Sequence, residues 1–481
     1  MEFEEGKKDL SSKGLFPLLK FRPLLGAERK KKDVKMVEFG YSQADITPVR
    51  GLPLVGYFNP RPNRGAYDRL SVKAAAFRSG EECVGIVSYD LCFITRKLVK
   101  RIQEAVAQAA LPCAGKVIYS ATHTHTGPYT SPCFDPSEGQ CCSDEYIDNL
   151  IARTVLALSE ACKSLAPAEL YSASTECSSL AFCRRYVMKN GKTLTNPGKL
   201  NPDILHPEDA IDPEVHIMAV KQEGEYRLIM ANISNHSDTI GGDFVSGDWP
   251  VAMESEIQYG LNCGVPVMAI IAPQGNINHF NVATDADQTC YAEARRIGKG
   301  YGQLILSALY GLKKVDCDSV KFANTEVEAP YMQVTDEEYA EAKKVYEMHK
   351  DAVMEAGRDF TSEDIAKGHP YVLKFFAERL MSCRDKPIQT QRFEELAAIT
   401  FGDSIAISTL PGEPFVEITR QIRKNSKYPM TMVAALSMGA IGYFGMPENY
   451  GNGGYETLPA NGKADRYVGQ AMIRATAELL K

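Results

Sequence analysis

The stretch CVGIVSYDLCFITRKLVKRIQEAVAQAALPCAGKVIYSATHTHTGP, residues 83–128, decides the fold. Its first part, CVGIVSYDLCFI (83–94), is short, unbroken and β-rich, which reads as a buried strand. RKLVKRIQEAVAQAAL (96–111) carries apolar residues at three-and-four spacing and reads as an amphipathic helix. KVIYSAT (116–122) is the next strand. Strand, helix and strand in that order predict an α/β protein with at least partly parallel pairing.

The same alternation continues outward. EYIDNLIARTVLALSEACKSL (145–165) is a second periodic helix. EVHIMAVKQ and YRLIMANISNH read as paired strands, VPVMAIIAPQ (265–274) as a buried strand and residues 285–312 as a helix. Residues 190–215 are rich in Asn, Gly, Asp and Pro and read as loop. DEEYAEAKKVYEMHKDAVMEA (336–356) and YVLKFFAERLMSC (371–383) form a helical insertion. Strand, loop and helix return in IAISTLPGEPFVEITRQIRK (405–424), and ADRYVGQAMIRATAELL closes the chain as a helix. The expected architecture is one large α/β domain over 37–481, a mixed β-sheet flanked by helices.

Composition bounds the function. Of 481 residues, 44% are hydrophobic and 24% charged, ordinary for a soluble globular chain. The net charge of -7 leaves no dominant basic face, which excludes nucleic acid as the expected partner. Thirteen cysteines without a CxxC spacing support neither a disulfide framework nor a zinc ribbon. They read as small buried hydrophobes in a reducing compartment. Residues 1–36 lack a clean secretory signal, since Lys20, Arg22 and two prolines break the apolar part. They are expected to be a disordered leader or an over-extended start with Met36 as initiator. No run of 18 apolar residues predicts a transmembrane segment, and the expected location is cytoplasmic.

The chemistry-bearing residues follow apolar strands. If the strand continues through ATHTHT, His123 and His125 share a face, because residues i and i+2 do so in a strand. Two such imidazoles can share a metal, or one can bind it while the other polarises a substrate; a hydrogen-bonded pair at a strand end is the plain alternative. ANISNHSDTIGGDFVSGDWP (231–250) brings a strand to His236, and APQGNINHF brings one to His279; each alone reads as a strand-end histidine. His206, His216, His349 and His369 carry no signal. In STLPGEPFVEI (408–418), Glu413 stands where a helix begins, a place the helix dipole favours for a carboxylate. Two imidazoles and one carboxylate are a set used by catalytic zinc sites. In ENYGNGGYETL (448–458) the glycines let the backbone bring Tyr450 or Tyr455 inward, and a nearby cation would favour tyrosinate. The crevice beyond the carboxyl ends of strands is where α/β proteins bind ligands.

These segments, in this order, resemble the neutral, non-lysosomal ceramidases. SATHTHTGP (120–128) is similar to that family's signature, NHSDTIGGDFVSGD (235–248) to its segment ending in SGD, LPGEPF (410–415) to its PGE motif and NYGNGGYE (449–456) to the segment with its metal-binding tyrosine. The resemblance implies one zinc ion per chain, held by His123, His236, Glu413 and Tyr455. It implies that His125 and Arg184 stabilise the substrate carbonyl, with Arg185 competing for the arginine's place. Asp90 is a candidate to orient a ligating imidazole, or a strand-end carboxylate facing solvent. Asn276, Trp249 and Tyr450 are candidates for substrate binding or support. The sequence departs from the family at QGNINHF (274–280), where Asn276 and Asn278 replace Asp and Ser, and at Trp249-Pro250. It is also expected to end without the family's C-terminal immunoglobulin-like domain. The implied activity is a zinc amidohydrolase of lipid metabolism, acting on ceramide, as in sphingolipid metabolism, or on another N-acyl amide. A zinc esterase or lactonase, and a catalytically silent binding protein, are the alternatives.

Overall fold

Glu38–Asp45 (β1), Ser71–Ser79 (β2) and Glu82–Tyr89 (β3) run as an antiparallel meander. The chain then crosses over through Arg96–Gln108 (α1) into Val117–Ala121 (β4), which pairs with β3 in parallel from Gly85–Val117 to Tyr89–Ala121. The side chain of Thr95 caps α1 by accepting from the Leu98 N–H, and Leu98, Val99, Ile102 and Val106 form its buried stripe. The helix stops at Gln108, short of the expected 111, because Ala110 turns left-handed (φ 49°) before Pro112. Ala166–Pro167 extends the other edge, giving a five-stranded mixed sheet. Asp144–Lys163 (α2) packs on β1 and β2, its first turn capped by Ser143.

The computed structural model describes residues 36–57, 61–131, 142–355, 360, 364–365, 367–385, 393–459, 461–462 and 464–481. The expected leader, up to residue 35, lies outside the described residues. Residues Lys35–Lys481 form one compact unit.

The crossover is used twice more. Glu169–Glu176 (β5), Glu214–Gln222 (β6) and Glu225–Ile233 (β7) are antiparallel neighbours, and Trp249–Leu261 (α3) carries the chain to Val267–Ile271 (β8), parallel to β7. Lys313–Lys314 completes this second five-stranded sheet. Tyr291–Ala308 (α4) lies on α3, so closely at Gly298 that a Cβ would meet the Trp249 carbonyl oxygen at 2.5 Å. Val320–Glu328 (β9) pairs antiparallel with Phe393–Phe401 (β10), and the connection between them holds Asp336–His349 (α5) and Pro370–Asp385 (α6). This is the expected helical insertion, mounted on a hairpin. Ile405–Thr409 (β11) then crosses through Val416–Asn425 (α7) to Met430–Ala434 (β12), again in parallel, and Val468–Leu479 (α8) ends the chain.

The architecture is thus mixed α/β, as expected, but its strands divide among three main sheets rather than one. The parallel edges are stitched together. After β12, Ala435 N–H donates to the Ile271 carbonyl at 2.8 Å and Met438 N–H to the Tyr119 carbonyl at 2.9 Å. The carboxyl ends of β4, β7 and β11 meet at this seam. Among the described residues no helix is long and apolar enough to cross a membrane.

Candidate metal centre

Each main sheet delivers one side chain from the end of a strand of its parallel pair: His123 after β4, His236 after β7 and Glu413 after β11. His123 and His125 meet for a reason other than strand alternation. The strand ends at Ala121, and His123 is left-handed (φ 69°), held by its N–H on the Leu91 carbonyl at 2.8 Å. The turn still sets the two Nε2 atoms 3.4 Å apart, with the rings edge to face. Such a φ is uncommon for a residue with a side chain and marks a site whose surroundings impose it.

The Nδ1 of His123 lies 2.8 Å from the Cys92 carbonyl, and that of His236 lies 2.7 Å from the Ile277 carbonyl. A carbonyl only accepts, so both Nδ1 atoms carry the N–H and both Nε2 atoms present lone pairs. Glu413 Oε2 lies 3.1 Å from each of those Nε2 atoms. Three acceptors therefore converge on one buried point, an arrangement that repels itself unless positive charge is shared there. The donor set and its second layer, imidazoles fixed by backbone carbonyls, fit a divalent cation of the zinc type.

The electrostatics agree. Burial opposes charge at Glu413, but His123 and His236 hold its carboxyl well below the usual range. Burial and the Arg184 guanidinium push His236 down to about 3. At His123 burial also opposes the cation, yet the Glu413 carboxylate holds its pKa well above the ordinary value, so without a metal a proton on Nε2 takes the place of the lone pair and supplies the positive charge shared there. Cys92 Sγ, His123 and His125 make a second close group, but that sulfur lies 3.7 Å from the Nδ1 side of His123, which the carbonyl already occupies. Burial keeps the Cys92 thiol pushed up, and hence protonated.

Around the triad stands a charged layer. Arg184 Nη1 lies 3.3 Å from His236 Nε2, and its Nε lies 2.8 Å from Glu456 Oε1. Arg185 points away from the imidazoles: it pairs with Glu208 at 2.5 Å and with Glu456 Oε2 at 2.8 Å. The structure so separates the two candidate arginines. His125 Nδ1 lies 3.2 Å from the Gly56 carbonyl and 3.4 Å from Asp238 Oδ1. Burial lowers the pKa of His125, with Asp238 working against that effect.

No family model matches the sequence, and no curated protein sequence matches it. Solved structures match the fold. A ceramidase complexed with C2 superposes with a TM-score of 0.68 at 15% identity, over 92% of this chain and 75% of that one. The neutral ceramidase from Pseudomonas aeruginosa does so with a TM-score of 0.66 at 15% identity, over 93% and 74%. The chain has the neutral ceramidase fold.

On this ceramidase fold the remaining expected residues take supporting places. The carboxylate of Asp90 accepts from the Ser71 N–H at 2.9 Å and hydroxyl at 2.7 Å, so it braces the β2–β3 corner; the imidazoles are oriented by the carbonyls of Cys92 and Ile277 instead. Trp249 is fully buried, and its indole N–H donates to the His236 carbonyl at 2.8 Å, which fixes the backbone of that histidine and leaves no face for substrate. Asn276 Oδ1 accepts from the Val416 N–H at 2.9 Å at the start of α7, and its carbonyl accepts from the Arg184 N–H. Gly275 lets that turn approach closely, since a Cβ would meet the Glu413 carbonyl oxygen at 2.3 Å. The Tyr450 hydroxyl accepts from the Gly445 N–H at 3.3 Å and so supports the loop that follows Tyr443.

Tyr455 reaches the ceramidase-fold site as an aromatic wall. Its ring is edge-on to Tyr443 and to Phe376, each at 5.7 Å between centroids. Burial, then Glu413, pushes its phenol up to about 12. Sequence reasoning missed Tyr443, which is paired in parallel register with Glu413, and whose ring lies 5.1 Å from the Arg184 guanidinium carbon. It also missed Glu456 and Asp238. Asp238 has the i+2 spacing from His236 as a signal; Glu456 had none beyond its place beside Tyr455.

Proposed function

We propose that the chain is a zinc-dependent hydrolase that cleaves the amide bond of an N-acyl substrate, ceramide-like or otherwise. The observation that carries this is the convergence of His123 Nε2, His236 Nε2 and Glu413 Oε2 with both imidazole N–H groups already committed. Zinc held by these residues and a tyrosine would supply Lewis acidity at a carbonyl and make water acidic enough to react near neutral pH.

For the tyrosine, Tyr443 is favoured over Tyr455. Register neighbours in a parallel pair project to the same side, so Tyr443 accompanies Glu413. Tyr455 lies one aromatic ring further out. Both phenols are raised by burial and by the Glu413 carboxylate, and cationic charge at the centre would reverse that bias.

The chain's own residues divide the remaining work. Arg184, fixed by Glu456, places a guanidinium where negative charge develops on the carbonyl oxygen. His125, with Asp238 at its Nδ1, presents Nε2 to the reacting groups and is suited to hand a proton to the leaving amine. A hydrolase of esters or lactones would need no such acid. The His125–Asp238 contact therefore favours the amide reading.

The test is a paired assay of zinc-loaded protein on an N-acyl amide and its matching ester. Amide turnover that is lost with the metal and restored by zinc supports the reading. Ester turnover alone replaces it with the esterase alternative, and turnover of neither replaces it with a silent binding protein.

A further inference from the structure

The hairpin insertion reaches the site. On α6, Phe376 packs edge-to-face on Tyr455 with centroids 5.7 Å apart, and Val372 and Ala377 of the same helix are buried. Arg379 lies one turn on from Phe376, at the i+3 position that shares its side of a helix. Its guanidinium carbon sits 4.2 Å over the Phe375 ring, half-buried. Its positive charge is felt at the Tyr455 phenol, where it offsets part of the effect of burial.

Arg379 differs from the other arginines of this region. Arg184 is paired with Glu456, Arg185 with Glu208 and Glu456, and Arg61 donates to the carbonyls of Val55, His125 and Gly242. Among the described residues, no carboxylate lies within ion-pair distance of Arg379; the Phe375 ring is its contact. A half-buried guanidinium held over an aromatic face keeps its donors available, and its planar fork suits a carboxylate or phosphate. A substrate with purely apolar arms would leave that charge without a partner at the wall of the site. An arm ending in an anion would pair with it, while Phe376 and Tyr455 pack on the intervening methylenes.

We propose that α6 is the substrate-selecting wall of this site and that Arg379 binds an anionic group, carboxylate or phosphate, on the N-acyl amide. This rests on the amide-hydrolase reading above and narrows its substrate class to anionic N-acyl amides such as N-acyl amino acids.

The experiment compares wild type, R379Q and R379K, each zinc-loaded and full length, on N-octanoyl-glycine, N-octanoyl-O-phosphoethanolamine and neutral N-octanoyl-ethanolamine. Wild type is expected to favour at least one anionic amide over the neutral one by about tenfold or more in kcat/KM, the scale of a charge-assisted contact. Which anion is favoured distinguishes carboxylate from phosphate. R379Q should bring that ratio down about tenfold, chiefly through KM, and R379K should keep part of it. Thermal melting checks that the variants fold. If no amide is turned over, the amide reading fails, and calorimetric binding of the two anionic compounds still decides the role of Arg379: a Kd weakened about tenfold in R379Q supports it. A neutral substrate preferred by wild type, or a ratio and Kd unmoved by R379Q, overturns the proposal.

Discussion

The Nε2 of His236 lies 3.1 Å from Oε2 of Glu413, though 177 residues separate them in the chain. The same oxygen lies 3.1 Å from Nε2 of His123. Under the proposed function, removing one imidazole would leave the cation with too few ligands. His123→Ala and His236→Ala are each expected to lose most bound zinc and all hydrolysis, measured by elemental analysis beside the amide assay. A variant that keeps stoichiometric metal and full turnover would show that the residue is not a ligand.

His125 stands beside the triad and is not one of its three acceptors. His125→Gln should therefore retain zinc while kcat falls on the order of a hundred- to a thousandfold, the usual cost of removing one transition-state donor. Loss of metal in step with activity would place His125 among the ligands.

Tyr443 and Tyr455 separate by the same logic. Tyr443→Phe should weaken zinc affinity, whereas Tyr455→Phe should leave affinity within a few-fold and act on turnover. Competition with a chelator reads the difference. The reverse order would restore Tyr455 as the ligand.

Glu456 is fully buried between Arg184 and Arg185. Glu456→Gln strips the charge that both guanidinium groups face. Breaking a buried pair from one side typically costs about 3–5 kcal/mol. Denaturant unfolding should show a loss on that scale, together with lower activity from a displaced Arg184. An unchanged midpoint would mean the network contributes little.

His216, which is not among the candidate metal ligands, gives a pH dependence of its own. Burial, then Arg423, lowers its pKa to about 4 from the ordinary 6.5, with its Nδ1 3.3 Å from the Thr431 carbonyl. The unfolded chain thus binds more protons than the folded one between those values, so stability is present above the unfolded pKa and drains as pH falls toward the folded one. At roughly 1.4 kcal/mol per pH unit, acidification from about pH 6.5 to about pH 5 should remove about 2 kcal/mol through this residue. His216→Gln should flatten that slope in denaturant titrations. An identical slope would assign the acid sensitivity to other groups.

The legible parts of this molecule are the local ones. The crossover over 83–121 is written in two apolar runs and an amphipathic helix, and no distant partner is needed to see it. His123, His236 and Glu413 could be singled out because each follows an apolar strand. The three-sheet division was not legible, since β9 finds its partner β10 only across the whole insertion. Nor was the left-handed backbone at His123, because nothing in a histidine announces a positive φ. Tyr443 was hidden in AIGYFGM, where it reads as one more apolar residue; only its pairing with Glu413 reveals it. Asp90 and Trp249 have the residue types of a functional site, but their hydrogen bonds go to Ser71 and to the His236 backbone.

The central claim is that one cation is held where the three sheets meet. Diffraction at the zinc absorption edge from crystals of the zinc-loaded protein tests it most directly. The expected result is a single strong anomalous peak per chain, roughly 2.0–2.2 Å from His123 Nε2, His236 Nε2 and a Glu413 oxygen. A peak at another place, or active protein with no peak between these three atoms, would contradict the account.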